Sequence, residues 1–458
     1  MKFNLYLSFV AVIAMAYSCN SDESVTSVNS FFNLTDEESL FISAKNANHK
    51  INESQALQIA NQSCLSRITR SVNYNSQHLT PLTKNHFGVS DSPEFKILSD
   101  TIVYLCDDGN GNCCLISADN RVMQKNMGII SRELLFPQSN DNVSLALSDF
   151  VRESVLQKMK SEISRYEELK DSMDNIISSK LSSFIENHNM DVVTRANVNP
   201  DIAFNPNDYE VEILDEVQSP WQTVTDISPM LQVAWGQSYP YNDYVRDTIQ
   251  CNNYHGVPTG CVATATAMLL SYWKCPTTLN GLNLDWDDIV SYDYPRSSNA
   301  RHQVRTIMKT IGVECNASYG CEGTTISMNN AKVWLLSHGF TGGDRVSYNI
   351  SDILSSLTAR RPILIKGRTV SGEGHSWIID GAIVEKRTVH RYYVYTNWRT
   401  GDSFTVDGGI IEDYSRYFNN NYGNKIAISW LSSDFYTAMG SDYPIDVEIF
   451  KHFRPISQ

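Results

Sequence analysis

Positive charge is scarce in this chain, and that scarcity removes a whole class of partners. Only 37 Lys and Arg stand against 51 Asp and Glu, for a net charge of −14. Phosphate binding needs a basic face, so nucleic acid is excluded as a partner. The cysteines also lack the two-plus-two spacing of a zinc site. Cys113 and Cys114 are adjacent with no matching second pair, so neither metal nor cofactor is expected. No apolar run reaches the roughly 20 residues of a bilayer span, and no internal repeat is visible. What the chain does not lack is apolar content. At 42% hydrophobic and 19% charged it is an ordinary globular composition, and 458 residues suffice for two or three domains with proper cores.

The apolar run from Leu5 to Ala16 follows Lys2 and suits the core of a signal peptide. It ends in Ala16-Tyr17-Ser18-Cys19, which resembles a bacterial lipoprotein signal, where the cysteine is lipidated and becomes the new N-terminus. The chain is therefore expected to be exported, with membrane contact only through a lipid on Cys19 and a place at the bacterial cell surface or outer membrane. Plain secretion is the alternative. Ten cysteines in an exported chain invite disulfides. Cys106 and Cys113 flank a six-residue turn, and Cys315 and Cys321 are also close. Both pairings stay open against buried free thiols.

Further along, Asn52 with Gln55 forms a capping box that opens a helix to about Arg67. Two strand-like runs, Thr101–Cys106 and Cys113–Ala118, read as a hairpin around Asp107–Asn112. From Ser148 to Asn187 an apolar stripe at spacings of three and four, Val151 through Phe184, predicts one long helix or two. Between Ala196 and Val245 there is no Lys or Arg, and Pro200, Pro206 and Pro220 interrupt the chain. Met190 to Thr225 therefore reads as an exposed acidic connection leading into a mixed α/β part.

The chemistry concentrates in that second part. Cys261 follows Gly260 and starts the almost wholly apolar run Val262–Leu270, which predicts a buried helix. At a helix start, free N–H groups and the dipole favour the thiolate, the reacting form of cysteine. A buried structural cysteine is the competing reading. A nucleophile needs a base, and His375 sits after Gly372 and Gly374 at the mouth of the strand-like Trp377–Ile379. His255, six positions before the cysteine, ranks below it. Asn397, 22 residues after His375, is a candidate to orient the imidazole, with Trp398 covering that hydrogen bond. Gln237 upstream is a side-chain donor for an oxyanion, beside the N–H of Cys261. The order Cys, His, Asn is the papain-type order.

These segments closely resemble the streptopain family of bacterial cysteine peptidases, relatives of papain. The matching stretches are Trp235-Gly236-Gln237 with Pro240-Tyr241-Asn242, then Thr259–Ala265, then Gly374-His375 running into Ile379-Asp380-Gly381, and Asn397-Trp398. Cys113–Arg121 is similar to part of that family's prosegment, which holds the enzyme inactive until cleaved. One departure stands out. The family usually continues after Asn-Trp with Gly-Trp-Gly-Gly, whereas here Arg399-Thr400-Gly401-Asp402 follow.

The expected fold is α+β: a papain-like two-subdomain peptidase, a helical part plus an antiparallel β part, preceded by an α+β prodomain. The expected boundaries are a signal peptide over 1–18, a tether over 19–50 and an inhibitory prodomain over 51–195. A linker with the activation cut covers 196–225, and the peptidase domain 226–458. The expected activity is that of a zymogen of a cysteine endopeptidase acting on polypeptide substrates, with its own prodomain as inhibitor. A catalytically silent surface-binding lipoprotein on the same scaffold is the first alternative. A transglutaminase-like thiol acyl-transferase, which typically uses an acidic third residue, is the second.

Overall fold

The computed structural model describes residues 34–45, 49–62, 74–138, 142–187, 209–252, 255–370, 372, 374–423, 428–439 and 444–456. The expected signal, Cys19 and most of the tether lie outside them.

The N-terminal half starts with helices α1 (Asp36–Lys45) and α2 (Glu53–Gln62). The expected capping box opens α2: Gln55 N–H donates to Asn52 Oδ1 at 3.0 Å, and Asn52 N–H to Gln55 Oε1 at 2.9 Å. An antiparallel meander follows, β1 (Leu79–Thr83), β2 (Thr101–Asp107), β3 (Asn112–Ser117) and β4 (Asn126–Ser131). Its central β2–β3 hairpin is the expected one. After the short α3 (Arg132–Leu135) comes α4 (Asn142–Asn187), a single unbroken helix of 46 residues. The stripe that predicted it is buried at Val151, Val155, Met159, Ile163, Tyr166, Met173 and Ile177. At 1.5 Å per residue α4 is roughly 70 Å long, long enough to touch several separate parts of the molecule.

Part of the expected open connection is paired strand. From residue 209 it forms two strands, β5 (Tyr209–Val217) and β6 (Gln222–Ile227). Both hydrogen-bond to one later strand. Residues 188–208 lie outside the described ones. The reason is local: Tyr209–Val217 and Gln222–Ile227 are rich in β-branched and aromatic residues, which suit a strand despite the acidic charge.

The C-terminal half opens with α5 (Cys261–Trp273), greasy on all sides and buried from Val262 to Ser271. A small hairpin of β7 (Thr278–Leu279) and β8 (Leu282–Asn283) leads to α6 (Trp286–Ile289), α7 (Ser298–Glu314) and α8 (Met328–Ser337). Together with α5 these form a helical layer around one core. Then come β9 (Phe340–Thr341), β10 (Asp344–Ser347), α9 (Ile350–Thr358), β11 (Ile363–Arg368), β12 (Gly374–Asn397), β13 (Ser403–Asn421), β14 (Ile428–Ser432), β15 (Asp446–Lys451) and β16 (Arg454–Pro455). One 12-stranded sheet runs β1-β2-β3-β4-β14-β13-β12-β11-β15-β10, with β5 and β6 also on β12. The two halves thus share a sheet, joined where Trp430 and Leu431 of β14 pair with Ile129 and Gly128 of β4.

Strand β12, at 24 residues, organises the β part. It pairs with β13 over most of its length, and along its other edge with β11, β6 and β5 in turn. Beyond Glu385 the β12–β13 pair projects as an arm.

The disulfide is neither of the two pairings left open by the sequence. Cys321 is bonded to Cys251, 70 positions earlier, and not to Cys315. Cys315 is free and buried in the helical core. Cys106 and Cys113 are free as well, because they face opposite sides of the sheet and join different cores. Burial pushes both thiols up to about 12.

Candidate active site

Gly260 precedes α5 with φ +94°, a conformation that a side chain rarely adopts. A Cβ there would lie 2.9 Å from the carbonyl of Thr324. Cys261 is thereby held, half-buried, at the first position of a buried helix. Burial raises its thiol pKa, while the backbone N–H groups of Ser376, Val262 and Cys261 itself pull the other way. Contact with Ser376 brings the thiol to the start of β12, next to His375. The two residues are 114 positions apart in sequence and meet because the helical layer abuts the β part.

His375 pairs across the sheet with Gly367 of β11 and is 7% exposed. Burial pushes its pKa down to about 4, and a hydrogen bond to the Tyr422 backbone acts against that shift. Nε2 has no partner among the described residues. The bond to the Tyr422 carbonyl therefore runs from Nδ1–H, leaving Nε2 as the nitrogen that can take a proton. Two partners enclose the ring, Tyr422 at 6.0 Å and Phe150 at 6.0 Å between centroids. Phe150 belongs to α4 of the N-terminal half, is 1% exposed, and also meets Trp377 at 5.4 Å. Its ring fills the space over Gly367, where a Cβ would come within 2.7 Å of it. At the helix start, Asn142 donates to the carbonyl of Cys321 at 3.2 Å. The first turns of α4 thus run from the 321 loop to the imidazole.

Gln237 lies alongside the nucleophile. Its carbonyl accepts from Thr259 N–H at 3.0 Å, two residues before Cys261. Upstream, Leu231 N–H donates to Asp380 Oδ2 at 2.8 Å and Met230 N–H to the Asp380 carbonyl at 3.2 Å. Asp380 therefore faces the 230–231 segment rather than His375, which removes the acidic third residue that an acyl-transferase reading needs. Burial raises its carboxyl pKa to about 7. His255 is exposed in its loop.

Asn397 and Trp398 are not at this site, which corrects the sequence reading. Asn397 ends β12 opposite Tyr209, 22 residues from His375 along one strand. At about 3.3 Å per residue the strand between them has a contour of at most roughly 70 Å. Its Oδ1 accepts from the N–H groups of Arg399 and Thr400 in a local turn. Trp398 is 56% exposed with the Arg399 guanidinium 4.6 Å from its ring, so it shields no buried bond.

The residue that meets His375 from the far end of β13 is Tyr422, set in the turn Asn421-Tyr422-Gly423. Asn421 is paired with Ile378, and its Nδ2 donates to the Val233 carbonyl at 3.2 Å. Its Oδ1 accepts from Gly423 N–H at 3.1 Å. Gly423 has φ +72°, and a Cβ there would meet the Trp235 carbonyl at 2.5 Å, so this turn packs against the strand leading to Gln237. An Asn–aromatic–Gly triplet was visible in the sequence. The insertion of the arm between it and His375 hid it, because Asn397-Trp398 already stood at the expected spacing.

Comparison with known proteins gives one family match and several structural likenesses, two of them from Prevotella intermedia. No curated protein matches the chain. A Prevotella intermedia prointerpain A fragment is 17% identical with a TM-score of 0.43, over 78% of this chain and 96% of that one. The active wild-type interpain A cysteine protease of the same organism is 18% identical with a TM-score of 0.33, over 54% of this chain and 97% of that one. The matched family stretch starts at Trp235 and ends just past Gly423, so it contains Gln237, Cys261, His375 and the 421–423 turn. Over residues 235–424 the chain is similar to the Peptidase C10 family, whose model matches that stretch.

Proposed function

We propose that the chain is an exported cysteine endopeptidase made as a zymogen, with Cys261 as nucleophile and His375 as general base. The observation that carries this is the meeting of the Cys261 thiol with the Ser376 N–H, directly beside His375, at the start of a buried helix. In the reaction His375 takes the thiol proton, the thiolate attacks the peptide carbonyl, and the protonated imidazole returns the proton to the leaving amine. The acyl-enzyme is then released by water. Gln237 and the Cys261 N–H donate to the oxyanion. Asn421 and Tyr422 take the supporting role first read onto Asn397 and Trp398.

Residues 51–187 act as the inhibitory prosegment. Phe150 on α4 covers the imidazole, and the burial that depresses its pKa favours an uncharged dyad rather than the reactive thiolate–imidazolium pair. The motif over Cys113–Arg121 ties into the same helix: Arg121 pairs with Asp119 at 2.7 Å and with Glu167 of α4 at 2.7 Å. Activation is a cut in the 188–208 stretch. Export and a lipid on Cys19 belong to this reading too. Metabolic labelling with a fatty acid tests the lipid, since Cys19→Ala should abolish the label.

The central test is direct. Cys261→Ala and His375→Ala should each abolish casein cleavage while the circular dichroism of the folded protein stays unchanged. A substrate-like epoxide should label Cys261 after activation and much more slowly before it. Absence of label on the cut form favours the silent scaffold instead.

A further inference from the structure

Alternate residues of a strand face opposite sides of a sheet, and the arm uses its two sides differently. One side, carrying Tyr393, Tyr395 and Val406, is buried under α1 and α4. The other side is built from the residues between them in sequence. There Leu214 of β5 stands opposite Tyr392 of β12, Glu212 opposite Val394, and Glu216 opposite His390. On the far flank Tyr392 stands opposite Asp407 of β13 and His390 opposite Ile410. Cross-strand partners share a face, so these side chains form one surface about 10 Å wide and about 20 Å long. Its apolar part is open to solvent. Ile410 is 66% exposed and Leu214 46%, with Tyr392 and Val394 half-buried in the middle strand.

The charge on this face is one-sided. Asp407 and Glu412 are already matched, by His390 at 2.7 Å and Lys386 at 2.6 Å. Glu210, Glu212 and Glu216 lie on the outer side of β5, all exposed, and no cation pairs with them among the described residues. Positions two apart on a strand are about 6.7 Å apart, so Glu210 and Glu212 hold two carboxylates close beside the apolar strip. Tyr392 is fixed in that strip by the His390 ring, stacked at 4.3 Å, with its hydroxyl 3.0 Å from His390 Nδ1. A rigid aromatic loses little entropy on contact and makes a good anchor at the centre of a binding surface. Such a face repels acidic surfaces and complements a segment whose cations flank an apolar stripe. A cationic amphipathic helix has that pattern.

The face takes no part in shaping the dyad, since Tyr392 is 17 residues from His375 along β12. Strand β5 follows the proposed cut at 188–208, so cleavage there leaves all three strands in the peptidase half. We propose that the outer face of the arm is an exosite for a cationic amphipathic segment of a polypeptide substrate. The basic side chains of that segment sit over the β5 glutamates, and its apolar side chains cover Leu214, Tyr392, Val394 and Ile410. Held there, a substrate presents the rest of its chain to Cys261 at raised effective concentration, which lowers KM and leaves kcat alone. The proposal rests on the peptidase reading, but its binding half is tested without catalysis.

The binding test uses the full Cys261→Ala chain and a fluorescently labelled 18-residue helical peptide of leucine and lysine. Anisotropy at low salt should give a Kd of about 10 µM or below. Glu210→Gln, Glu212→Gln and Glu216→Gln together should raise Kd at least about tenfold and flatten its salt dependence. Three carboxylates are a small part of the 51 acidic residues, so adhesion to the overall charge would not respond this way. Leu214→Ser with Ile410→Ser should weaken binding by a similar factor at unchanged net charge, with the melting curve reporting the fold. In the activated enzyme, appending the same peptide to a neutral cleavable substrate should lower KM roughly tenfold. The triple glutamine variant should lose that effect while cleaving the plain substrate normally. Absence of binding, or equal Kd in wild type and triple variant, overturns the proposal, as does a KM that the appended peptide leaves unchanged. A dimer of the free chain in sedimentation that the Leu214→Ser, Ile410→Ser variant dissolves also overturns it, because the face then serves a second copy. Binding that responds to both sets of variants, with neither substrate cleaved, leaves the docking face standing and removes the peptidase reading.

Discussion

Lowering the pH from 7 to 5 should loosen the cover that α4 places over His375. The imidazole titrates at about 4 under Phe150, against an ordinary value of 6.5. That difference of about 2.5 units corresponds to roughly 3 kcal/mol between covered and uncovered ring. The covered state binds fewer protons. It is therefore fully favoured above pH 6.5 and loses stability as the pH falls from 6.5 towards 4. Between pH 7 and pH 5 the opening equilibrium should rise roughly 20-fold from this group alone. The Lys158, Glu162 and Asp434 cluster crosses the same interface, so a control is needed. His375→Gln supplies it. In the Cys261→Ala background, hydrogen exchange of the α4 amides around Phe150, corrected for intrinsic rates, should accelerate by that factor with His375 in place. It should stay nearly flat in the His375→Gln variant. Phe150→Ala should return the His375 titration upward by more than about one unit. Equal pH dependence with and without the His375→Gln substitution would refute this reasoning, as would a ring that titrates near 6.5 in the intact precursor.

Three further outcomes are expected. Gln237→Ala should lower kcat by roughly 10²–10³ with KM changed much less, and an unchanged kcat removes it from the oxyanion site. Asn421→Ala should lower kcat by roughly tenfold or more, whereas Asn397→Ala should change it less than about twofold, and the reverse order would restore the first assignment. The wild-type precursor should mature to a fragment beginning within 188–208, because from residue 209 the chain is a paired strand that a protease cannot enter. The Cys261→Ala precursor should stay whole alone and be cut when active enzyme is added.

Much of this could be read along the chain because its causes are local. A run as apolar as Val262–Leu270 folds as a buried helix anywhere, and Gly260 before it leaves Cys261 at the helix start. The stripe from Val151 to Phe184 needs one partner face to become a helix, whichever face that is, and so α4 was legible without a structure. The strands β5 and β6 were not, because their acidic side chains read as solvated chain and only the free edge of β12 recruits them. The Cys251–Cys321 bond joins segments 70 residues apart, a closeness that no spacing in the sequence encodes. The same holds for the third group of the site. Asn397 stood at the familiar separation from His375, but separation counts residues, whereas orientation of an imidazole depends on where a strand turns back. By itself the sequence determined the helix that carries Cys261 and the strand that carries His375. Only the tertiary structure decided that a long arm carries Asn397 away, that the end of β13 returns Tyr422 to the imidazole, and that Phe150 from the other half lies on top of it. Those three facts depend on which strand edges meet and where packed helices end, and contacts between segments far apart in the chain leave no periodic trace in it.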